Sequence, residues 1–355
     1  MRITFLSPPP NMSGGERVVA IYTRELIRMG HDVEIVCSQP RTYSAIAKIK
    51  SVVRGRGIPG RKSGMNSHYC NYDVPFRVVD HQGDLTAADV PDADVLIPTF
   101  WTTAHWAATM PPQKGARVYF LQDYGIPGQT WEQIQPTLSI CPHIITLCDW
   151  LAEETRRRCD SSQISIVRNA VDLDHFVMGD VQRIPNRFGM VYRSAPSKGC
   201  KDAFLALAKA AEQTSIELLT FGQQPSRAER ELFDNVQVLG RVPESELPEV
   251  YGSCRGWIFP SRLEGFGLPI LEAMACHTPV IGTTAGAGRD LISQGGGILV
   301  PVADIDATAD AIVRMSTMDD AAWKKLSSVA YQTASGYSWQ DAATRFESVL
   351  LAAAV

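Results

Sequence analysis

The chain has 355 residues, 45% hydrophobic and 20% charged, which predicts a globular protein of two domains rather than one. A formal charge of -4 gives no case for nucleic-acid binding. No apolar run reaches the roughly 18 to 20 residues of a membrane-spanning helix, and Met1-Arg2 leads straight into a strand-like Ile3-Thr4-Phe5-Leu6-Ser7 rather than an export segment.

Apolar stretches of strand length alternate with helical patterns, which predicts parallel sheets covered by helices. Strands are expected at 2–7, 32–37, 76–79, 94–97, 117–121 and 143–146. A first helix runs from Glu16 to Met29, with Val18, Val19, Tyr22, Leu26 and Met29 on one face and Gly30 as its stop. From Arg41 to Lys62 there are seven Lys or Arg residues and no acid. That stretch reads either as a surface for an anionic membrane or lipid-linked acceptor, or as a solvated loop. Asp149 is expected to cap a helix through Arg158. The turn-rich Val167 to Phe176 segment and the aperiodic stretch to Pro185 place a linker there.

The pattern then restarts, with strands at 187–192, 216–221, 236–239, 256–259, 279–282 and 298–300. Helices fit after Ser197 and at 244–252, 268–276, 305–315, 320–333 and 338–352. Two doubly wound halves in sequence put a crevice between them, where ligands bind at the carboxyl ends of the strands. The eight cysteines form no CxxC pair and the seven histidines are scattered, so no metal site is expected and the compartment reads as cytoplasmic.

The most informative stretch is Phe259 to Ala275, where a strand ends at Pro260 and a glycine-containing loop leads to a helix with Pro269 in its first turn. Glu264 sits on the loop and Glu272 on the helix. Together they bracket a helix N-terminus, whose free N–H groups favour an anion. Gly265 and Gly267 let backbone approach a ligand. Taken alone, the residues leave two readings open: a site for a polyol phosphate, or a capped helix with two solvated acids.

The wording EGFGLPILEAMA, with its Glu-x7-Glu, resembles the signature of retaining glycosyltransferases of family 4 with the GT-B fold. Arg193 and Lys198 match that family's Arg-x4-Lys pair. The resemblance extends through Val238 to Pro243, Pro279 to Thr283 and Gly297 to Pro301. It implies an α/β fold of two Rossmann-like doubly wound domains facing a central crevice. These are an acceptor-side domain at 1–175, a nucleotide-sugar domain at 176–336, and a helix at 337–355 that crosses back. Phe100-Trp101-Thr102 and Phe120 to Tyr124 faintly resemble the rhamnosyltransferase members.

The resemblance also implies roles. Arg193 and Lys198 receive the leaving diphosphate, a kind of fixed-charge stabilisation worth about 3 to 4 kcal/mol per well-placed donor. Glu264, with the backbone of Gly265, Phe266, Gly267 and Leu268, positions the donor sugar. Glu272 holds the ribose hydroxyls, and Arg241 and Val242 flank the nucleobase. Gly15, in Ser13-Gly14-Gly15-Glu16, faces the diphosphate. Gln122-Asp123-Tyr124 stands where family members often carry a His-Asp pair; the histidine is absent, and Asp123 is left to orient acceptor or donor sugar.

The expected activity is metal-independent transfer, with retention, from a UDP, GDP or dTDP sugar to a glycan or lipid-linked acceptor in surface polysaccharide or glycolipid synthesis. No further cofactor is expected. The place is the cytoplasm, at the inner face of the membrane if 41–62 binds lipid. The rivals are a silent partner-binding subunit and a GT-B sugar-nucleotide epimerase. Asp-x-Asp at Asp92/Asp94, Asp172/Asp174 and Asp304/Asp306 reads as turn or cap chemistry rather than a metal site.

Overall fold

The computed structural model describes residues 1–40, 67–124, 131–160 and 162–354. The basic stretch 41–62 lies outside the described residues. Seven described strands make the first sheet: β1 (Arg2–Ser7), β2 (Asp32–Cys37), β3 (Phe76–Val78), β4 (Val95–Pro98), β5 (Ala116–Phe120), β6 (His143–Thr146) and β7 (Gln163–Ile166). Six make the second: β8 (Ile184–Tyr192), β9 (Glu217–Gly222), β10 (Val236–Val238), β11 (Cys254–Phe259), β12 (Val280–Thr283) and β13 (Gly297–Val300). Their orders are β3-β2-β1-β4-β5-β6-β7 and β10-β9-β8-β11-β12-β13, with parallel pairing throughout. Strand order therefore reverses between β1 and β4 and again between β8 and β11, which opens a crevice at the carboxyl ends of each sheet.

The apolar runs dictate this arrangement. A parallel strand covered by helices on both faces has no polar side, and β11 is accordingly buried along its whole length. Trp257 on β11 is fully buried against Tyr251, ring centroids 4.4 Å apart. The helix Gly14–Arg28 turns Val18, Val19, Tyr22 and Leu26 onto the first sheet. The final helix, Trp339–Ala353, leaves the second half and covers the same face. Tyr22 packs on Phe346 at 4.5 Å and edge-on against Trp339 at 5.6 Å, while Phe120 meets Phe346 at 5.1 Å.

Several boundaries differ from those expected. Ser13, whose hydroxyl accepts from the Glu16 N–H at 3.4 Å, starts the first helix at Gly14 rather than Glu16, and the helix ends at Arg28. Asp149 does not cap its helix. Cys148 holds that position and Asp149 is the first helical residue, its carboxylate drawn to Arg168 at 2.7 Å. That helix stops at Arg156 rather than Arg158. The strand β7 was not expected at all. At 244–252, a 3-10 turn at Glu244–Glu246 precedes the helix Leu247–Gly252.

Candidate active site

The loop after β8 carries Arg193 and Lys198, and the loop after β11 carries Glu264. Gly199, at φ 62°, lets the two meet backbone to backbone, since an added Cβ would collide with the Pro260 carbonyl oxygen. The Arg262 guanidinium grips the Asp202 carboxylate with two bonds of 2.7 Å, and the N–H groups of Arg262 and Leu263 donate to Ser197 O at 2.8 and 3.1 Å. These ties bring Lys198 Nζ to 2.9 Å from Glu264 Oε1, which also accepts from Ser261 Oγ at 2.9 Å. Arg193 is exposed at the rim.

The first half closes this place from the other side. Gln122 Nε2 donates to Gly15 O at 3.2 Å. The Gln122 carbonyl oxygen faces Gly265 so closely that a Cβ there would collide with it. One cleft of about 630 Å³ results, lined by Gly15, Gln122, Asp123, Arg193, Lys198, Glu264 and the Gly265 to Leu268 backbone. The helix Leu268–Ala275 starts in it, behind Gly267 at the cap position. Such a place suits an anion between two cations and a helix start, beside an acid that accepts hydroxyl hydrogens.

Glu272, Arg241 and Val242 do not line that cleft. Glu272 is 4% exposed, one turn further into the same helix, and both its oxygens are taken. Arg17 Nη1 donates at 2.6 Å and the Tyr251 hydroxyl at 2.6 Å. Arg17 also pairs with Glu244 at 2.8 Å, and Tyr72, from the first half, donates to Glu244 at 2.8 Å. Burial works against the Arg17 charge, but Glu272 and then Tyr72 and Glu244 outweigh it, so the guanidinium is held firmly protonated. An ion cluster thus joins the halves beside the cleft. Arg241, exposed, and Val242, half-buried, lie on the loop just before Glu244.

Five of the six Asp-x-Asp residues are spent elsewhere. Asp92 pairs with Lys114 and Asp94 with Arg2, Asp172 accepts turn N–H groups, Asp304 caps a helix and Asp306 pairs with Lys209. Sequence reasoning missed Arg17, Gln122, Ser261 and Arg262. Arg17, Gln122 and Arg262 act through partners that only the fold brings in, whereas Ser261 reaches Glu264 three residues along the same loop.

Glu16, behind Gly15, is buried and accepts from the backbone N–H groups of Asn11 and His68, the latter at 3.0 Å. Burial pushes its carboxyl up to about 7, against the pull of those N–H groups. The folded chain therefore binds this proton more tightly than the unfolded chain does. That contribution is complete below about pH 4.5 and is lost as pH rises through about 7. Glu16→Gln, uncharged throughout, flattens the fall in Tm across this window. Thermal melts check it, and a slope equal to that of the unaltered chain refutes it.

Two such sheets, with a cleft at the reversal point of each, define the GT-B class of fold. Residues 12–175 match the family model described as Glycosyltransferase Family 4, and residues 185–318 match that described as Glycosyl transferases group 1. The chain belongs to family 4 of the glycosyltransferases. It is 32% identical over 111 residues to the O-antigen chain mannosyltransferase B of Escherichia coli, covering 31% of this chain and 28% of that protein. It is 30% identical over 207 residues to the D-inositol 3-phosphate glycosyltransferase of Mycobacteroides abscessus, covering 52% of this chain and 45% of that one. The chain thus spans less than half the length of these curated relatives. Anabaena Alr3699/HepE in complex with UDP and glucose shares the fold, with a TM-score of 0.77 over 99% of this chain and 100% of that one at 15% identity.

Proposed function

We propose that the chain transfers a sugar from a nucleoside diphosphate sugar to an acceptor hydroxyl, with retention at the anomeric carbon and without a metal ion. The observation that carries this reading is the meeting of Lys198 and Glu264 at 2.9 Å, with Arg193 and a helix start, in a cleft shared by both halves. Breaking the sugar–phosphate bond leaves charge on the diphosphate. Lys198, Arg193 and the N–H groups at Leu268 lie ready to receive it without reorganisation. Glu264 accepts hydrogen bonds from donor-sugar hydroxyls and serves as a positioning group rather than a nucleophile. Gly15 admits the diphosphate from the other side, and Asp123 orients the attacking group.

In this reading the second half binds the donor and the first half the acceptor. Glu272 meets the ribose at the seam, where Arg17 now holds it, and Arg241 and Val242 flank the base. Attack occurs on the face the diphosphate leaves, and a departing oxygen takes the acceptor proton. The Anabaena neighbour, described with UDP and glucose, makes UDP sugars the first donors to test. Relatives described as acting on O-antigen chains and on inositol 3-phosphate support a glycan or a small polyol acceptor. Among the described residues no helix is long and apolar enough to cross a membrane, and 41–62 is the stretch we assign to an anionic surface.

Calorimetry with UDP, GDP and dTDP tests the donor reading. Binding of none of them sinks it. Glu264→Ala is expected to lower transfer by about 100-fold while nucleotide affinity stays nearly unchanged. Loss of nucleotide affinity in step with turnover would instead make Glu264 a nucleotide ligand.

A further inference from the structure

Asn11, Met12, Ser13, Gly14 and Gly15 are consecutive, and all line the cleft shared by both halves. Between Ser7 and Gly14 the chain is neither strand nor helix, so the shape of this wall depends on side chains. Glu16 supplies the main one. Ser13-Gly14-Gly15-Glu16 has the spacing of a capping box, in which the glutamate returns to the N–H of the capping serine. Here Asn11 Oδ1 takes that N–H at 2.7 Å, and Glu16 reaches past it. One carboxylate oxygen accepts the Asn11 N–H, and the other accepts the His68 N–H at 3.0 Å. A single side chain thus ties the loop to the short helix His68–Asn71.

Both oxygens must accept for this arrangement to hold. A neutral carboxyl keeps one good acceptor, its carbonyl oxygen, and its hydroxyl is a poor match for the second N–H. A proton on Glu16 therefore releases one of the two ties. The side chain is buried, which pushes the carboxyl up to about 7. The groups around it keep their charge through that range. Burial and Arg17 hold His68 down to about 4, burial pushes the Cys37 thiol and the Tyr69 hydroxyl up, and Arg17 stays protonated. Asp123 stands across the adjoining cavity that Glu16 also lines.

Resting on the glycosyl-transfer reading above, we propose that the Glu16 carboxylate is a positioning residue for the donor: by holding Asn11 it sets the wall against which the diphosphate lies, and donor affinity falls when it is neutralised. Stability and binding then run in opposite directions with pH. Folding favours the protonated group, whereas the cleft needs the ionised one.

Calorimetry on the whole chain with UDP-glucose, GDP-mannose and dTDP-rhamnose tests this. Each is a diphosphate diester with no proton to lose near neutral pH. Whichever binds is expected to weaken close to tenfold, on the order of one decade, between about pH 8 and about pH 5.5, while the contribution of Glu16 to Tm rises. Glu16→Gln keeps the volume but sets an amide N–H against one backbone donor. It is expected to bind about tenfold more weakly at about pH 8 and to lose the pH dependence. Glu16→Asp, charged but one methylene shorter, recovers part of the affinity. Circular dichroism certifies the fold of both variants. A flat affinity in the unaltered chain, or Glu16→Gln binding as tightly as that chain at about pH 8, would overturn the proposal. Affinity that rises on acidification would do the same, making the carboxylate a repulsion rather than a support. Failure of the unaltered chain to bind any of the three tells against the donor reading instead.

Discussion

Lys198→Ala lowers turnover by about 100-fold or more, with the melting temperature little changed. Lys198 is partly exposed on a short 3-10 turn, and its ion pair with Glu264 has water on one side. Pairs of that kind add little to stability, so the fold survives the loss. The charge matters when the sugar–phosphate bond lengthens and the diphosphate gains negative charge. An interaction that strengthens only then appears in kcat as well as kcat/KM. Steady-state kinetics at saturating donor read the effect. Lys198→Arg keeps the charge with a different reach, and is expected to recover part of the rate. A turnover near that of the unaltered chain in Lys198→Ala would remove the leaving-group role.

Gly265→Ala is expected to cost about as much by a different route. The added methyl has no free space, because the Gln122 carbonyl oxygen of the first half stands where the Cβ must go. Neither backbone can yield without moving its half, so the cleft cannot close fully. Misplacement by about 1 Å between reacting groups costs on the order of 100-fold. Each half keeps its own sheet and core, so the circular dichroism spectrum is expected to be unchanged while turnover collapses. Gly179→Ala, where nothing lies within 4 Å of an added Cβ, is the control and is expected to be silent. Full activity in Gly265→Ala would mean that the halves need not meet at this point.

The interior of both sheets was legible because parallel strands buried on two faces are mostly apolar, as Trp257 to Phe259 are throughout and Ile3 to Leu6 are but for Thr4. The strand β7 was missed because it lies at the sheet edge, paired to β6 alone, with Ile164 and Ile166 only half-buried. The helix at Asp149 was read one residue late. An acid before an apolar run looks like a cap, but only the pull of Arg168 decides where its carboxylate turns. Lys198 and Glu264 were legible as a pair through motif wording. Arg17 was not, since its partner Glu272 lies 255 residues away and nothing local announces it. The same holds for Arg262, whose fork on Asp202 sets the loop that carries Glu264.

The return of Trp339–Ala353 to the first sheet gives the polypeptide two passages between the halves, and the Val171 N–H, donating to the Tyr337 carbonyl at 3.3 Å, laces them together. Paired tethers at one place resist twisting and sliding, and leave a single axle about which the mouth can gape. A break between Val177 and Arg183 would not set the halves adrift, because Trp339 and Phe346 would still moor the second to Tyr22 of the first.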